Sequence, residues 1–582
     1  MMNKSIFFKN IDKFISNFLL IVSIFFYILY SIPQNLIDDH GIIITASLQA
    51  SQGSFPGIDF IYPHGILSPI LLGLFIKIFS IFGIGWQNAY FLFSIIIFIS
   101  LIFTLRNLFN NLYGLNFNNA LTLSTIISSA MLFPWGGFHF DYLSIIISLE
   151  LINILYLCLC QIDKANKFSK KVLISKDFIF IGLLSFINPF FIKLTSAYVS
   201  LIIGFLLILS IFSASFNEKL KFKLFKDYLF GVSFFPIIIL IFGFFNLTKI
   251  KQILYFSYSP LLFAEDLGQY NFFSLPSTFF ETIYITSIFS FLLVLLITKV
   301  IKKENLKFSD NKLICKFALF FFLYQFGVVW ARDKNWVFLI MSFVLFDLFL
   351  RHNKIFFKFK FNLLNIFTLI LSFLNLGFYF FISSYSQRNK LVNTKFTLDL
   401  SGTKASLFKV KQGMDWGVHK DILKTSKVLN QLLDSRKIIS YSFLDDNAFM
   451  IPLLTGKAPL QPFAFYQNNK TFFNKVPINP LIYNLGKPDA LVLCKLPPLE
   501  KKEKNNIDSQ LNNSEMLELF DYELDNKEIN QQYSRFIRVF GDNEEYLKAK
   551  KIYSDLSMIY RKNYFIYYVN DSCIILTKKN LI

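Results

Sequence analysis

Apolar runs recur from Phe14 to Phe381, most of them approaching the length that crosses a bilayer's hydrocarbon core, and short basic stretches separate them. A single soluble core has no room for so much apolar surface. Of the 582 residues, 54% are hydrophobic and only 16% charged, against about a quarter charged in soluble domains. A bilayer is the solvent in which such a chain is stable.

Spans are expected near 14–31, 87–105, 120–134, 141–160, 177–191, 194–213, 228–245, 277–298, 315–331, 335–350 and 361–383. The segment Gly65–Phe82 is apolar too, but it holds Ser68, Pro69 and Lys77. If it crossed, the runs Lys164–Lys176, Glu218–Lys226 and Lys299–Lys316 would all lie outside. If it lies in the interface, those runs and Arg351–Lys360 stay in the cytoplasm, as the positive-inside rule prefers. The expected fold class is therefore a polytopic α-helical membrane protein of about eleven spans, with its N-terminus cytoplasmic and its C-terminus outside. Phe14–Tyr30 follows Lys4, Lys9 and Lys13 and precedes no small-residue cleavage site, so it reads as an uncleaved first span.

The formal charge of +20 fits the same picture, because many lysines sit between apolar segments; no nucleic-acid partner is implied. The 76 Phe residues accompany heavy Ile, Asn and Lys usage, which matches an AT-rich coding bias rather than a special chemistry.

Three segments face outward in this reading: the loop 31–86, the loop 246–277, and the tail. The chain divides into a membrane domain, 1–383, and a soluble domain, 384–582. The tail carries strand patterns at Lys437–Phe443 and Ala490–Cys494, and a hairpin, Tyr564–Val569 with Ser572–Lys578, around Asn570-Asp571. Helical spacing covers Val418–Leu433 and Glu544–Tyr560. An extracytoplasmic α/β or α+β domain is expected. The five cysteines lack metal spacing; Cys158 and Cys160 fall in an apolar helix, while Cys494 and Cys573 are a candidate disulfide outside the cell.

The first outer loop holds the densest chemistry. It reads Ile37-Asp38-Asp39-His40-Gly41, then Gly53-Ser54-Phe55-Pro56-Gly57-Ile58-Asp59-Phe60, then Tyr62-Pro63-His64-Gly65. Taken alone, Asp38 or Asp39 is a good N-cap for a helix over Ile42–Ala50. Taken together, Asp39-x-Gly41, Gly53 and Asp59 resemble the "DEG…G…P-Y-x-D-F…P-H-P" loop of the GT-C integral-membrane glycosyltransferases. That superfamily includes the dolichyl-phosphate-mannose protein mannosyltransferase-like and aminoarabinose transferase-like proteins. Their loop continues into an interfacial helix, which the charge pattern here also requires at 65–82.

Further stretches are similar to elements of that family. Pro134–Asp141 is a short outer loop ending in an acid, and Lys193-Leu194-Thr195 follows a helix break at Asn188-Pro189. Ala331-Arg332-Asp333-Lys334-Asn335 resembles an "R-x-D-x-x-H" element, with the Asp moved next to the Arg and Trp336 near the expected His. In the tail, Phe449–Pro459, which contains Leu454-Thr455-Gly456-Lys457, is similar to a "Y-F-L-T-G-R-x-P-P" stretch.

The resemblance implies an enzyme that moves a sugar from a polyprenyl-phosphate donor to a glycan, lipid or protein acceptor on the outer face of a bacterial plasma membrane. Asp39 would be the general base, with Asp38 beside it as the alternative. Asp59 would orient the acceptor or hold a divalent cation such as Mg or Mn. Lys193 and Arg332 would bind the donor phosphate, with His40, His64, Asp141 and Asp333 as accessory candidates. The loop Tyr255–Tyr270 is a candidate lid. Two rivals stand beside this reading. A lipid-linked-sugar transporter or flippase would carry mid-span charges and an inverted repeat, neither of which the sequence displays. A non-catalytic scaffold of the same fold would tolerate the altered Arg332-Asp333 element.

Overall fold

The computed structural model describes residues 2–31, 34–35, 39–56, 59–60, 62, 65–132, 142–167, 175–191, 194–215, 217–242, 247, 250, 311–324, 397–411, 416–444, 450–460, 488–494, 564–570 and 573–581. The spans expected near 277–298, 335–350 and 361–383, the helix at Glu544–Tyr560 and the loop Tyr255–Tyr270 lie outside these residues. The chain forms two compact units: 1–31 with 92–387, and 32–91 with 388–582.

The first unit is helical. It comprises α1 (Met2–Ser31), the larger part of α4 (Trp86–Tyr113), α5 (Phe117–Leu132), α6 (Tyr142–Lys167), α7 (Ser175–Phe191), α8 (Leu194–Ser213), α9 (Glu218–Phe242) and α10 (Asn311–Tyr324). α1 packs on α5, and its Tyr27 stacks on Phe98 of α4 with ring centroids 4.5 Å apart. α7 meets α9 backbone to backbone. A Cβ added to Gly182 would lie 2.2 Å from the Tyr228 carbonyl oxygen, and one added to Gly231 would lie 2.0 Å from that of Ile179. Small residues at such crossings are how helices associate in lipid, where apolar burial supplies little drive.

Besides an apolar interior, this unit pairs polar side chains inside and turns large apolar ones outward. Asn188, fully buried, donates from Nδ2 to Ser148 Oγ on α6 at 2.9 Å and to Ser200 Oγ on α8 at 3.4 Å. Asn153 likewise donates to the Thr104 carbonyl at 3.2 Å and to Glu150 Oε2 at 3.1 Å. Meanwhile Phe14, Phe18 and Ile21 on α1, Leu201 on α8, and Phe222 and Phe230 on α9 face outward. Three helices, Trp86–Tyr113, Tyr142–Ala165 and Glu218–Ile241, are long and apolar enough to cross a membrane, and shorter apolar helices accompany them. The chain is mostly helical among the described residues and has the character of a membrane protein.

The second unit joins the first loop to the tail. From the loop come β1 (Gln34–Asn35), α2 (Asp39–Ser51), α3 (Leu67–Ile81) and the first turns of α4. From the tail come β2 (Thr397–Asp399), β3 (Phe408–Lys411), α11 (Trp416–Asp434), β4 (Tyr441–Leu444), α12 (Met450–Thr455), β5 (Ala490–Cys494), β6 (Tyr564–Val569) and β7 (Cys573–Lys578). Two sheets result. One has the order β1-β3-β2, with β1 parallel to β3 and β2 antiparallel to it; the other has the order β4-β5-β7-β6, with only β4–β5 parallel. α11 packs on β6 and β7 of the larger sheet and on α12, and its Ile422, Leu429, Leu432 and Leu433 are buried. This is a mixed α+β arrangement.

α3 covers about 22 Å at 1.5 Å per residue, short of the roughly 30 Å of a hydrocarbon core. It buries Ser68, Pro69, Leu72, Gly73 and Ile76 and packs against α2.

Three devices hold the larger sheet. Cys573 is disulfide-bonded, the residue opposite it in the β5–β7 register is Cys494, and Cys158, Cys160 and Cys315 are free thiols. Asn570, in the β6–β7 turn, donates to the Asp421 carbonyl at 3.0 Å and accepts from the Cys573 N–H at 2.7 Å. Asp489 accepts from the N–H groups of Ile439 (3.0 Å) and Ser440 (3.2 Å) and from the Lys578 ammonium (3.1 Å). Burial pushes the Asp489 carboxyl up, but these donors outweigh it and hold the group below its ordinary value. Nearby, burial and the Asp489 charge push the Tyr564 hydroxyl up to about 12.

The sequence pattern at Lys437–Phe443 suggested a strand throughout, yet β4 starts only at Tyr441. Residues before it are taken up in closing α11: Lys437 and Ile438 both donate their N–H to the Leu432 carbonyl, at 3.1 and 3.4 Å. The wound end of a helix cannot also be extended strand.

Candidate functional site

The helix α2 opens at Asp39, so the acid singled out by the motif stands at its first residue and His40 at its second. From Ile43 to Gln49 every residue of α2 is buried, the polar Thr45, Ser47 and Gln49 included. A helix buried on all sides is placed by its neighbours, not by solvent. It ends in a turn where Gly53 has φ +98 and donates to the Ala50 carbonyl at 3.1 Å, while Ser54 donates to that of Gln49 at 3.1 Å. The glycine of the first-loop pattern is thus the terminator of the helix that the aspartate begins.

Asp59 closes the following turn on itself. Its Oδ2 accepts the Phe55 N–H at 2.6 Å, and its own N–H donates to the Phe55 carbonyl at 2.8 Å. The residue is exposed. Its spacing from Asp39 therefore reflects one helix, one glycine turn and one aspartate-locked turn in succession. Asp38, His64, Asp141, Lys193, Arg332 and Asp333 lie outside the described residues. In the chain, Asp141 directly precedes α6, and Lys193 falls between α7 and α8.

Within the second unit, α2 packs against α12, the short helix of the Leu-Leu-Thr-Gly-Lys stretch. The two segments singled out in loop and tail are therefore neighbours. α12 is wholly buried from Met450 to Thr455. Thr455 Oγ1 bonds the Ile451 carbonyl at 2.9 Å and the Tyr441 hydroxyl at 3.1 Å, and that hydroxyl donates to the Lys457 carbonyl at 2.6 Å. Burial raises the Tyr441 hydroxyl far above its ordinary value, with the Thr455 bond opposing, so it stays a neutral donor. The Leu454 carbonyl accepts from the Lys404 N–H and from Asn430 Nδ2, both at 3.1 Å.

Gly456 ends α12 with φ +66, its N–H donating to the Pro452 carbonyl at 2.8 Å. A Cβ there would come within 3.0 Å of Lys404 Cβ and 3.2 Å of Trp86 Nε1. Only glycine meets both demands, the left-handed backbone and the close neighbour. Trp86 belongs to the loop side of this unit and stacks on Phe408 of the tail, ring centroids 5.6 Å apart. Phe91 also stacks on Phe408, at 5.5 Å, and Gln87 Oε1 accepts the Leu407 N–H at 2.8 Å. β1 completes the seam through Gln34↔Phe408 and Asn35↔Lys409.

Sequence reasoning missed Trp86, Gln87 and Phe408 as the residues that tie loop to tail, and Tyr441 as the one that fixes the end of α12 within the tail. The only trace in the sequence is the Thr455-Gly456 pair, where a threonine that bonds back into its helix precedes a terminating glycine. Among the described residues, no group of three or more His, Cys, Asp or Glu side chains is arranged to hold a metal ion. Comparison with family models and with curated proteins finds no match for this chain.

Proposed function

We propose that this protein is a membrane glycosyltransferase of the GT-C kind, transferring a sugar from a polyprenyl-phosphate donor to an acceptor hydroxyl at the outer face of a bacterial plasma membrane. One observation carries the reading furthest: α2, which begins at Asp39, lies against α12, which carries the Thr455-Gly456 stretch. The two segments whose residues resemble that family independently are separated by about four hundred positions, yet they belong to one compact unit.

The chemistry is a single displacement. The Asp39 carboxylate takes the proton of the acceptor hydroxyl as its oxygen bonds to the anomeric carbon. The bond from that carbon to the phosphate oxygen breaks with inversion, and polyprenyl phosphate leaves with the electron pair. Base assistance of this kind is worth about 10²–10⁴ in rate. Lys193 and Arg332 are the candidates to stabilise the leaving phosphate. Asp59 keeps the loop in shape through its bond to Phe55.

The proposed topology has about eleven spans, a cytoplasmic N-terminus and an outer C-terminus. It draws support from the β1–β3 pairing. Backbone hydrogen bonds between loop and tail require both on one side of the bilayer, and therefore an even number of crossings between them. The disulfide at Cys573 favours an oxidising compartment for that side.

The test is release of polyprenyl phosphate from a panel of polyprenyl-phosphate sugars by the purified protein, with membrane extract as acceptor source. Wild-type turnover that falls at least about a hundredfold in Asp39→Asn supports the assignment. Equal turnover in both removes Asp39 from the chemistry, and no turnover with any donor favours a transporter or a scaffold.

A further inference from the structure

The exposed side of α11 carries Lys420, Lys424 and Lys427. Spacings of four and three residues put them on one line, about 10 Å long at 1.5 Å per residue. Lys424 bonds the nearly buried Asp421 at 3.2 Å and is still 63% exposed. About 10 Å further along, past the exposed Asp434 at the helix end, come Arg436 and Lys437, both exposed. From Trp416 to Ile439 the chain has five Lys and Arg residues and two acids, Asp421 and Asp434.

The corner after α11 ends in an apolar tip. Ile438 is buried, but Ile439 next to it is 86% exposed, the highest exposure among the large apolar residues described. The backbone that carries it is firmly held. Arg436 sits at φ 56, Ser435 donates to the Gln431 carbonyl at 3.0 Å, and Lys437 and Ile438 donate to that of Leu432. The Ile439 N–H is bonded by Asp489 at 3.0 Å. From Ser435 to Ser440 every backbone N–H is engaged, so the structure presents an isoleucine to the outside two residues after Lys437.

We propose that this corner, Lys420, Lys424, Lys427, Arg436, Lys437 and Ile439, docks on the anionic headgroup surface of the membrane in which the chain resides. Basic side chains alone would suit any polyanion. The fixed apolar tip selects lipid, because a basic cluster around an exposed apolar residue gains from headgroup charge and from acyl-chain burial together. The surface is always at hand for a chain with apolar spanning helices, so modest attraction suffices to hold the domain down.

The experiment uses the full chain in nanodiscs of phosphatidylcholine with or without phosphatidylglycerol. Cys158, Cys160 and Cys315 are replaced by Ala, and Ile439→Cys carries an environment-sensitive fluorophore. Docking predicts blue-shifted emission and quenching by nitroxide lipids in the anionic discs. It also predicts a loss of at least about tenfold in the docked-to-undocked ratio when Lys420, Lys424 and Lys427 are all changed to Gln. Because Lys424 bonds Asp421, the Lys420→Gln/Lys427→Gln double variant, which keeps that pair, is run beside the triple one; it should unfold at the wild-type temperature and still lose docking, which separates lost docking from lost folding. A label equally open to iodide in both lipid compositions overturns the proposal. So does protection that persists in detergent, which would mean protein covers the tip. Protection that appears only on adding soluble polyphosphate would assign the ridge to an anionic polymer instead.

Discussion

Replacing Gly456 by Ala probes the seam between first loop and tail with a single methyl group. Two costs add. A non-glycine residue in the left-handed region pays about 1–2 kcal/mol, and Gly456 has φ +66. The new Cβ must also push back Lys404 Cβ at 3.0 Å and Trp86 Nε1 at 3.2 Å, both tighter than ordinary contact, which adds about 1 kcal/mol in a packed region. The sum, about 2–3 kcal/mol, corresponds to a fall of roughly 5–10 °C in the unfolding temperature of a unit this size. Gly402 supplies the control: its φ is +80, but a Cβ there meets nothing within 4 Å, so Gly402→Ala pays the first cost alone. The assay is thermal unfolding of the purified protein, run on wild type, both alanine variants, Trp86→Phe, and the Trp86→Phe/Gly456→Ala pair. The double variant should recover about 0.5 kcal/mol or more as a coupling energy, since the smaller ring yields space. Equal losses from Gly456→Ala and Gly402→Ala, with no coupling to Trp86, would refute the claim that loop and tail are packed together at this turn.

Two further outcomes follow from the larger sheet. Asp489 has its folded carboxyl held below the ordinary value, so its contribution is present above the unfolded value of about 3.9 and is lost as pH falls through the folded one. Asp489→Asn should cost about 1–3 kcal/mol at neutral pH and flatten the acid limb of a stability–pH curve, read by urea unfolding at stepped pH. Cys573→Ser removes a cross-link that, paired with the Cys494 opposite, closes a loop of about eighty residues; the expected loss is roughly 2–5 kcal/mol, and reduction of the wild type with a thiol should reproduce it.

Much of this protein was legible residue by residue. Apolar runs became α1 and α4–α10 because partition into lipid depends on composition over about twenty positions, which a sequence displays directly. The strand at Ala490–Cys494 and the hairpin strands at Tyr564–Val569 and Cys573–Lys578 fall where β-branched and aromatic runs indicated. Asp39, Gly53 and Asp59 were visible as a spaced set, and each turns out to mark a local event: a helix start, a helix end and a locked turn.

What joins those local pieces was not written in any window. Gln34 and Asn35 carry no strand signal, and they pair with Phe408 and Lys409 because a tail strand offers them an open edge. Tyr441 reads as an ordinary strand aromatic until Thr455 and Lys457 come within reach of its hydroxyl. Strand propensity pointed to Lys437–Ser440, but the Leu432 carbonyl at the end of α11 takes the N–H groups of Lys437 and Ile438, and the Asp489 carboxylate takes those of Ile439 and Ser440. Solvent choice and local turns are set by a residue and its near neighbours. Pairing across hundreds of positions is set by which unsatisfied backbone and apolar groups meet once those pieces exist, and only the tertiary structure decides that.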